Sequence, residues 1–121
     1  AGARFINAGL WKRPQLYPLS GESDQQAIDR EALAVRRGAG LVDVSTLGKI
    51  DIKGRDAQVF LDRIYVNRWH NLAIGKARYG LMLREDGMIL DDGTTTRIGD
   101  RHFLMTTTTA NAVRVMSTLE Y

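Results

Sequence analysis

Apolar and polar positions follow two periods along this chain. From Ser23, the apolar residues Ile28, Ala32 and Val35 recur at helical spacing until Gly38 and Gly40 interrupt them. Ser23 followed by Gln26 fits the capping-box pattern, which predicts the helix start. Leu41 to Ser45 and Lys49 to Lys53 alternate instead, with Ile50 and Ile52 on one face, and read as strands. Gly54-Arg55-Asp56 breaks that pattern and can cap a second helix with the stripe Ala57, Phe60, Leu61 and Ile64. Two alternating stretches then flank Asp86-Gly87, the strongest short hairpin signal. A third strand runs from Arg101 to Thr107, and the Thr run can cap a last helix carrying Ala112, Val115, Met116 and Leu119. Before Ser23, the aromatics Phe5, Trp11 and Tyr17 sit among Gly9, Pro14 and Pro18 and read as a loop-rich lead-in. The fold class predicted is α+β, with three helices packed on a mainly antiparallel sheet.

The hairpin's second strand carries Asp91 and Asp92 side by side. Acidic residues are depleted in strands, and adjacent strand positions point to opposite faces. One carboxylate is therefore expected to face inward, where an ionised group is costly unless something binds it. Two readings stand on these residues alone. The pair can be a solvent-facing acid and an edge-strand guard against aggregation. It can equally be a ligand site, since a carboxylate accepts hydrogen bonds from the N–H and NH₂ edge of a heterocycle and stabilises a nearby cation.

Composition narrows the chemistry. The chain has 121 residues, one domain's worth, and no cysteine, which excludes disulfides, thiolate metal sites and thiol catalysis. His70 and His102 lack metal-ligand spacing, and no stretch approaches the roughly 18 apolar residues of a membrane span. No targeting sequence opens the chain, so the expected location is cytoplasmic. The formal charge of +3 is spread over scattered Arg and Lys, as on a solvated surface. The start at Ala-Gly-Ala and the stop at Tyr121, within an apparent helix, are the marks expected of a fragment spanning residues 1–121 of something longer.

The remaining polar features have ordinary readings too. Thr106 to Thr109 can be a β-branched strand end and cap, or a hydroxyl cluster facing a polar ligand. Tyr79 alternates with Leu81 and Leu83 as a packing residue would, and Asp43 and Ser45 resemble a turn. Trp11 and Trp69 read as packing residues, and Gly38-Ala39-Gly40 as a helix stop.

Four pieces of the sequence together resemble the folate-binding aminomethyltransferase family. They are Gly9-Leu10-Trp11 with Pro14 to Tyr17, Glu31 to Arg36 with Gly40-Leu41-Val42-Asp43-Val44-Ser45, Gly75 to Leu83, and Gly87 to Asp92. Thr46-Leu47-Gly48 and the run Thr106 to Thr109 before Ala110-Asn111 depart from the glycine-cleavage T-protein pattern, and Asp91-Asp92-Gly93-Thr94-Thr95-Thr96 together with Thr106 to Ala112 is similar to the alpha-subunit branch from heterotetrameric sarcosine oxidases. The resemblance implies the N-terminal portion of a tetrahydrofolate-binding domain. It also implies an imine, formed by sarcosine oxidation elsewhere, that is captured by tetrahydrofolate to give methylenetetrahydrofolate and glycine. FAD, FMN and NAD are then expected elsewhere in the parent complex, with its remaining subunits as partners and no nucleic acid or membrane. Carried over by position, Asp92 is the catalytic carboxylate, with Asp91 as its fallback, and Leu47, Tyr79 and Thr107 line the folate. Three other functions remain open: a non-catalytic assembly domain, a T-protein-like aminomethyltransferase, and, remotely, a small RNA-binding module. Acids in the central strand weigh against the last.

Overall fold

Two strands occupy the stretch that reads as a lead-in. In the structure, a computed structural model describing residues 2–121, β1 (Arg4–Ala8) pairs antiparallel with β2 (Trp11–Leu16). Gly9 makes the turn with a positive φ of 62°, a conformation that favours glycine. The prolines mask this hairpin in the sequence. Pro14, aligned with Phe5, is tolerated because a two-stranded sheet has only edges, and a missing N–H can face outward. The chain divides into two compact units, Ala1–Thr46 and Leu47–Tyr121, so β1 and β2 belong to the first.

The helix α1 (Asp24–Arg37) completes that unit. Its capping box is formed as predicted: the Gln26 N–H donates to Ser23 Oγ at 3.3 Å, and the Ser23 N–H donates to Gln26 Oε1 at 2.9 Å. Arg30 of α1 donates to both Glu22 oxygens, at 2.8 and 3.0 Å, and to the Tyr17 carbonyl. Glu31 accepts from the Tyr17 N–H at 2.7 Å, so the helix holds the chain leading into it. Ala27 is the buried residue of α1, whereas Ile28 and Val35 of the predicted stripe are exposed. No strand forms over 41–45, contrary to the alternation there. Asp43 Oδ1 accepts from the Ser45 N–H at 2.8 Å, a side-chain turn that competes with strand pairing.

The second unit contains β3 (Gly48–Lys53), α2 (Ala57–Ile64), β4 (Ala77–Leu83), β5 (Ile89–Gly99), β6 (His102–Thr107) and α3 (Ala112–Glu120). All strand pairs are antiparallel, in the spatial order β3-β6-β5-β4. The predicted α+β class thus takes the form of three helices and two antiparallel sheets, with α1 in the first unit. Asp86-Gly87 turns the β4–β5 hairpin, with Gly87 at a φ of 79°. Asp86 Oδ1 accepts from the Met88 N–H at 3.0 Å, which fixes that turn.

The core of this unit lies between one sheet face and its two helices. Leu61 of α2 and Val115 of α3 join Met82, Phe103 and Met105, with Ile50 and Ile52 packed alongside. Enclosing each of the four side chains Leu61, Phe103, Met105 and Val115 stabilises by about 1.5–3 kcal/mol. Trp69 lies against β4 at Gly80, where a Cβ would come within 2.7 Å of the indole. Asp56 and Asn111 occupy the caps of α2 and α3, but neither side chain bonds to its helix. The N-cap position of α3 thus falls on Asn111, beyond the Thr run.

Candidate functional site on the open sheet face

The sheet face turned away from α2 and α3 is where the polar residues gather. Period-two alternation places Tyr79 and Leu81 of β4, Asp92 and Thr94 of β5, and Leu104 and Thr106 of β6 on it. Tyr79 is 55% exposed, unlike the enclosed residues of the helix-covered face.

The Asp-Asp-Gly-Thr sequence sits where the sheet splits. Paired residues of β5 and β6 run from Thr95↔Met105 to Gly99↔His102 and stop there. Beyond Thr95, β5 continues along β4 while β6 continues along β3. Side chains bridge the gap. Thr106 Oγ1 accepts the Thr94 N–H at 2.9 Å and donates to the Thr94 carbonyl at 3.1 Å, with the Thr94 hydroxyl 3.1 Å away. Gly93 belongs to the same stitch: a Cβ there would lie 2.0 Å from the Thr106 carbonyl oxygen.

The structure separates the two carboxylates. Asp91 is 3% exposed and is the inward-facing member of the pair. Its Oδ2 accepts the Thr108 N–H at 3.1 Å, and its Oδ1 accepts the Thr108 hydroxyl at 2.6 Å and the Asn111 amide at 3.3 Å. Asn111 also donates to the Leu90 carbonyl at 3.1 Å. The protein's own donors thus satisfy the buried charge, as such a group requires. Asp92 lies on the open face, where Tyr79 donates its hydroxyl to Oδ2 at 2.8 Å. The Asp92 carboxylate holds the Tyr79 phenol above its ordinary value, because ionising the phenol would lose that bond and place two negative charges together; partial burial and the Asp91 charge act in the same direction.

Tyr79 and Asp92 are therefore brought together by a hydrogen bond. Leu47 is half-buried in the bend before β3, next to Gly48, which pairs with Thr107. Thr107 lies on the helix-covered face, 2% exposed, and donates to the Thr108 carbonyl at 3.0 Å. Thr94 and Thr106 are the threonines that place hydroxyls beside one another on the open face. Counting in twos from Asp92 reaches Thr94, a signal in the sequence; the pairing with Thr106 needs the register of β6.

Other clusters offer less chemistry. A hollow of about 420 Å³ at the start of α2 is lined by Asp51, Lys53, Arg55 and Asp56 among others. There Lys53, and after it His102, hold the Asp51 carboxyl below the ordinary range. Among the described residues no group of three or more His, Cys, Asp or Glu could hold a metal ion, and no helix is long and apolar enough to cross a membrane.

Comparison with known proteins places this geometry in a family. A family model described as the GCVT N-terminal domain matches residues 1–121. The sarcosine oxidase subunit alpha of Rhizobium meliloti (strain 1021) is 56% identical over 99% of the chain, and that of Corynebacterium sp. (strain U-96) is 51% identical over 98%. The chain spans 12% of the length of each of these relatives. An aminomethyltransferase of Corynebacterium jeikeium (strain K411) is 35% identical over 98% of the chain and 28% of its own length. The crystal structure of glycine cleavage system aminomethyltransferase T from Bartonella henselae superposes with a TM-score of 0.86 at 33% identity, covering 99% of this chain and 31% of that one.

Proposed function

Because the chain belongs to the GCVT N-terminal domain family, we propose that it forms part of the tetrahydrofolate-binding domain of a sarcosine oxidase alpha subunit. In this reading the imine produced from sarcosine elsewhere in the complex is captured here, yielding methylenetetrahydrofolate and glycine. The higher identity to sarcosine oxidase alpha subunits than to an aminomethyltransferase, 56% against 35%, favours this branch. FAD, FMN and NAD then belong to other parts of that complex, whose remaining subunits are the partners.

The observation that carries the proposal is the Tyr79–Asp92 pair on the open sheet face. Reduced folate presents a donor-rich heterocyclic edge, and the pair fits it. Tyr79 takes one lone-pair site on Oδ2, leaving Oδ1 of Asp92 to accept ligand N–H groups. The phenol ring offers a flat apolar surface beside that carboxylate. Thr94 and Thr106 add hydroxyls along the same face. When bound, tetrahydrofolate supplies the nucleophilic nitrogens that accept the one-carbon unit. Asp92 supplies a fixed negative charge where the iminium cation is held, an electrostatic contribution that costs no reorganisation during reaction. Asp92 is the catalytic residue of this proposal. Leu47 is assigned to the rim of the folate site, and Thr107 supports β6 from behind.

Replacing Asp92 tests the reading. Asp92→Asn keeps the shape but removes the charge, so in the full-length enzyme folinic acid affinity should fall roughly 10- to 100-fold, the range for losing a charged hydrogen bond. Amine oxidation should persist, because it occurs elsewhere. Equal loss of oxidation and folate coupling would contradict the assignment.

A further inference from the structure

We infer that Asp91 is a positioning residue for Asp92: its buried carboxylate fastens the split end of β5 to the start of α3 and so sets the direction of the neighbouring open-face carboxylate. This rests on the reading of Asp92 as the folate-contacting group, but its geometry stands independently.

The inference follows from what the split removes. Over 95–99, β5 is tied to β6 by paired backbone. Over 89–93, the β6 side of β5 has no such ladder, and β4 alone pairs with it as backbone. The β4 ladder is itself irregular there, with a register shift between Met82 and Leu83. A strand end held on one side beside a bulge is free to twist, and a twist at Asp91 would swing Asp92 by the same angle. Beside the Asn111 amide on the Leu90 carbonyl, two side-chain ties flank Asp92 and oppose this. Thr106 holds Thr94 from one side of Asp92. Asp91 holds the other side through three donors, two from Thr108 and one from Asn111. Asp92 is thus bracketed by anchored neighbours.

The chemistry of the tie is also specific. All three donors converge on a group that only accepts, so an ionised carboxylate fits and an amide does not. Asparagine at this position would set its own NH₂ against the Thr108 N–H in one orientation or against the Asn111 amide NH₂ in the other. The three bonds are part-buried around an enclosed carboxylate, which strengthens them relative to bonds in water. The charge serves a further purpose, since it lies near enough to Tyr79 to help keep the phenol protonated and donating to Asp92. The adjacent acids accordingly divide the work, one anchoring and one exposed.

The test reads the Tyr79–Asp92 bond directly. In the whole chain, labelled with ¹³Cζ-tyrosine, the Tyr79 phenol is titrated by NMR in the wild type, Asp91→Asn and Thr108→Val. Thr108→Val deletes the hydroxyl donor but keeps the Asp91 charge, so it separates position from electrostatics. If Asp91 positions Asp92, both variants lower the Tyr79 midpoint, and folinic acid affinity in the full-length enzyme falls several-fold in each. A lower melting temperature with unchanged Tyr79 midpoint and unchanged folinic acid affinity in Thr108→Val would overturn the inference, leaving Asp91 as scaffold only. Should Asp91→Asn fail to fold, the Thr108→Val comparison decides. The function proposal fails separately: Asp92→Asn would then bind folinic acid as the wild type does, while the titration still reports on Asp91.

Discussion

At Gly93 an added methyl group would reach 2.0 Å from the Thr106 carbonyl oxygen and 2.9 Å from its carbon. Those are backbone atoms, which cannot turn aside as a side chain would. Gly93→Ala should therefore force β5 and β6 further apart and lower stability by about 1–3 kcal/mol, the usual range for overpacking. Denaturant unfolding measures that, and an unchanged midpoint would contradict the close approach of β5 and β6 at Gly93. Tyr79 yields a pH prediction of definite sign. Its phenol titrates above the ordinary value near 10 because Asp92 accepts the hydrogen bond that the protonated phenol donates. A group with a raised native value stabilises fully below the unfolded value, and that contribution disappears as pH rises through the native one. The Tyr79–Asp92 bond should thus be intact at neutral pH and lost only in strong alkali, and Asp92→Asn should lower the Tyr79 midpoint. The two carboxylates show how far residue patterns reach. Alternation foretold that one faces inward. It could not tell which, nor that Thr108 and Asn111 would satisfy the inward one, because those contacts join residues 17 and 20 positions away.

Among the elements, local signals were legible and long-range ones were not. The capping box of α1 is written in four consecutive residues and forms as read. Ser23→Ala should cost roughly 1 kcal/mol of helix stability, visible as faster amide exchange at Gln26 and Ala27 with little change in β5. The Asp86-Gly87 hairpin was equally plain. By contrast, β1 and β2 were hidden by Pro14 and Pro18, since a proline usually argues against a strand and only the edge-only geometry of this sheet admits Pro14. The apparent strand over 41–45 failed for the opposite reason. Its alternation is real, but no strand forms there, and the Asp43 side chain takes the Ser45 N–H. The open face of the second sheet needed the register of three strands, which no single stretch of sequence encodes.

For the whole molecule, burial is unequal between the two units. The second encloses a continuous core around Trp69, Phe103 and Met105. In the first, the buried apolar residues are Leu16 and Ala27, while Phe5, Ile6, Trp11 and Val35 are exposed. A two-stranded hairpin with so little core is marginal in water. Amides of β1 and β2 should exchange well before those of β5 and β6, as expected where few apolar contacts protect backbone bonds. Uniform protection across both units would contradict this. The central claim, that the open face of the second unit binds reduced folate, is tested most directly by an amide NMR titration of the chain with folinic acid. The account predicts shifts concentrated at Tyr79, Asp92, Thr94 and Thr106, with the helix-covered residues Phe103 and Val115 unmoved. A saturable response centred elsewhere, or none on that face at concentrations that saturate the full-length enzyme, would contradict it.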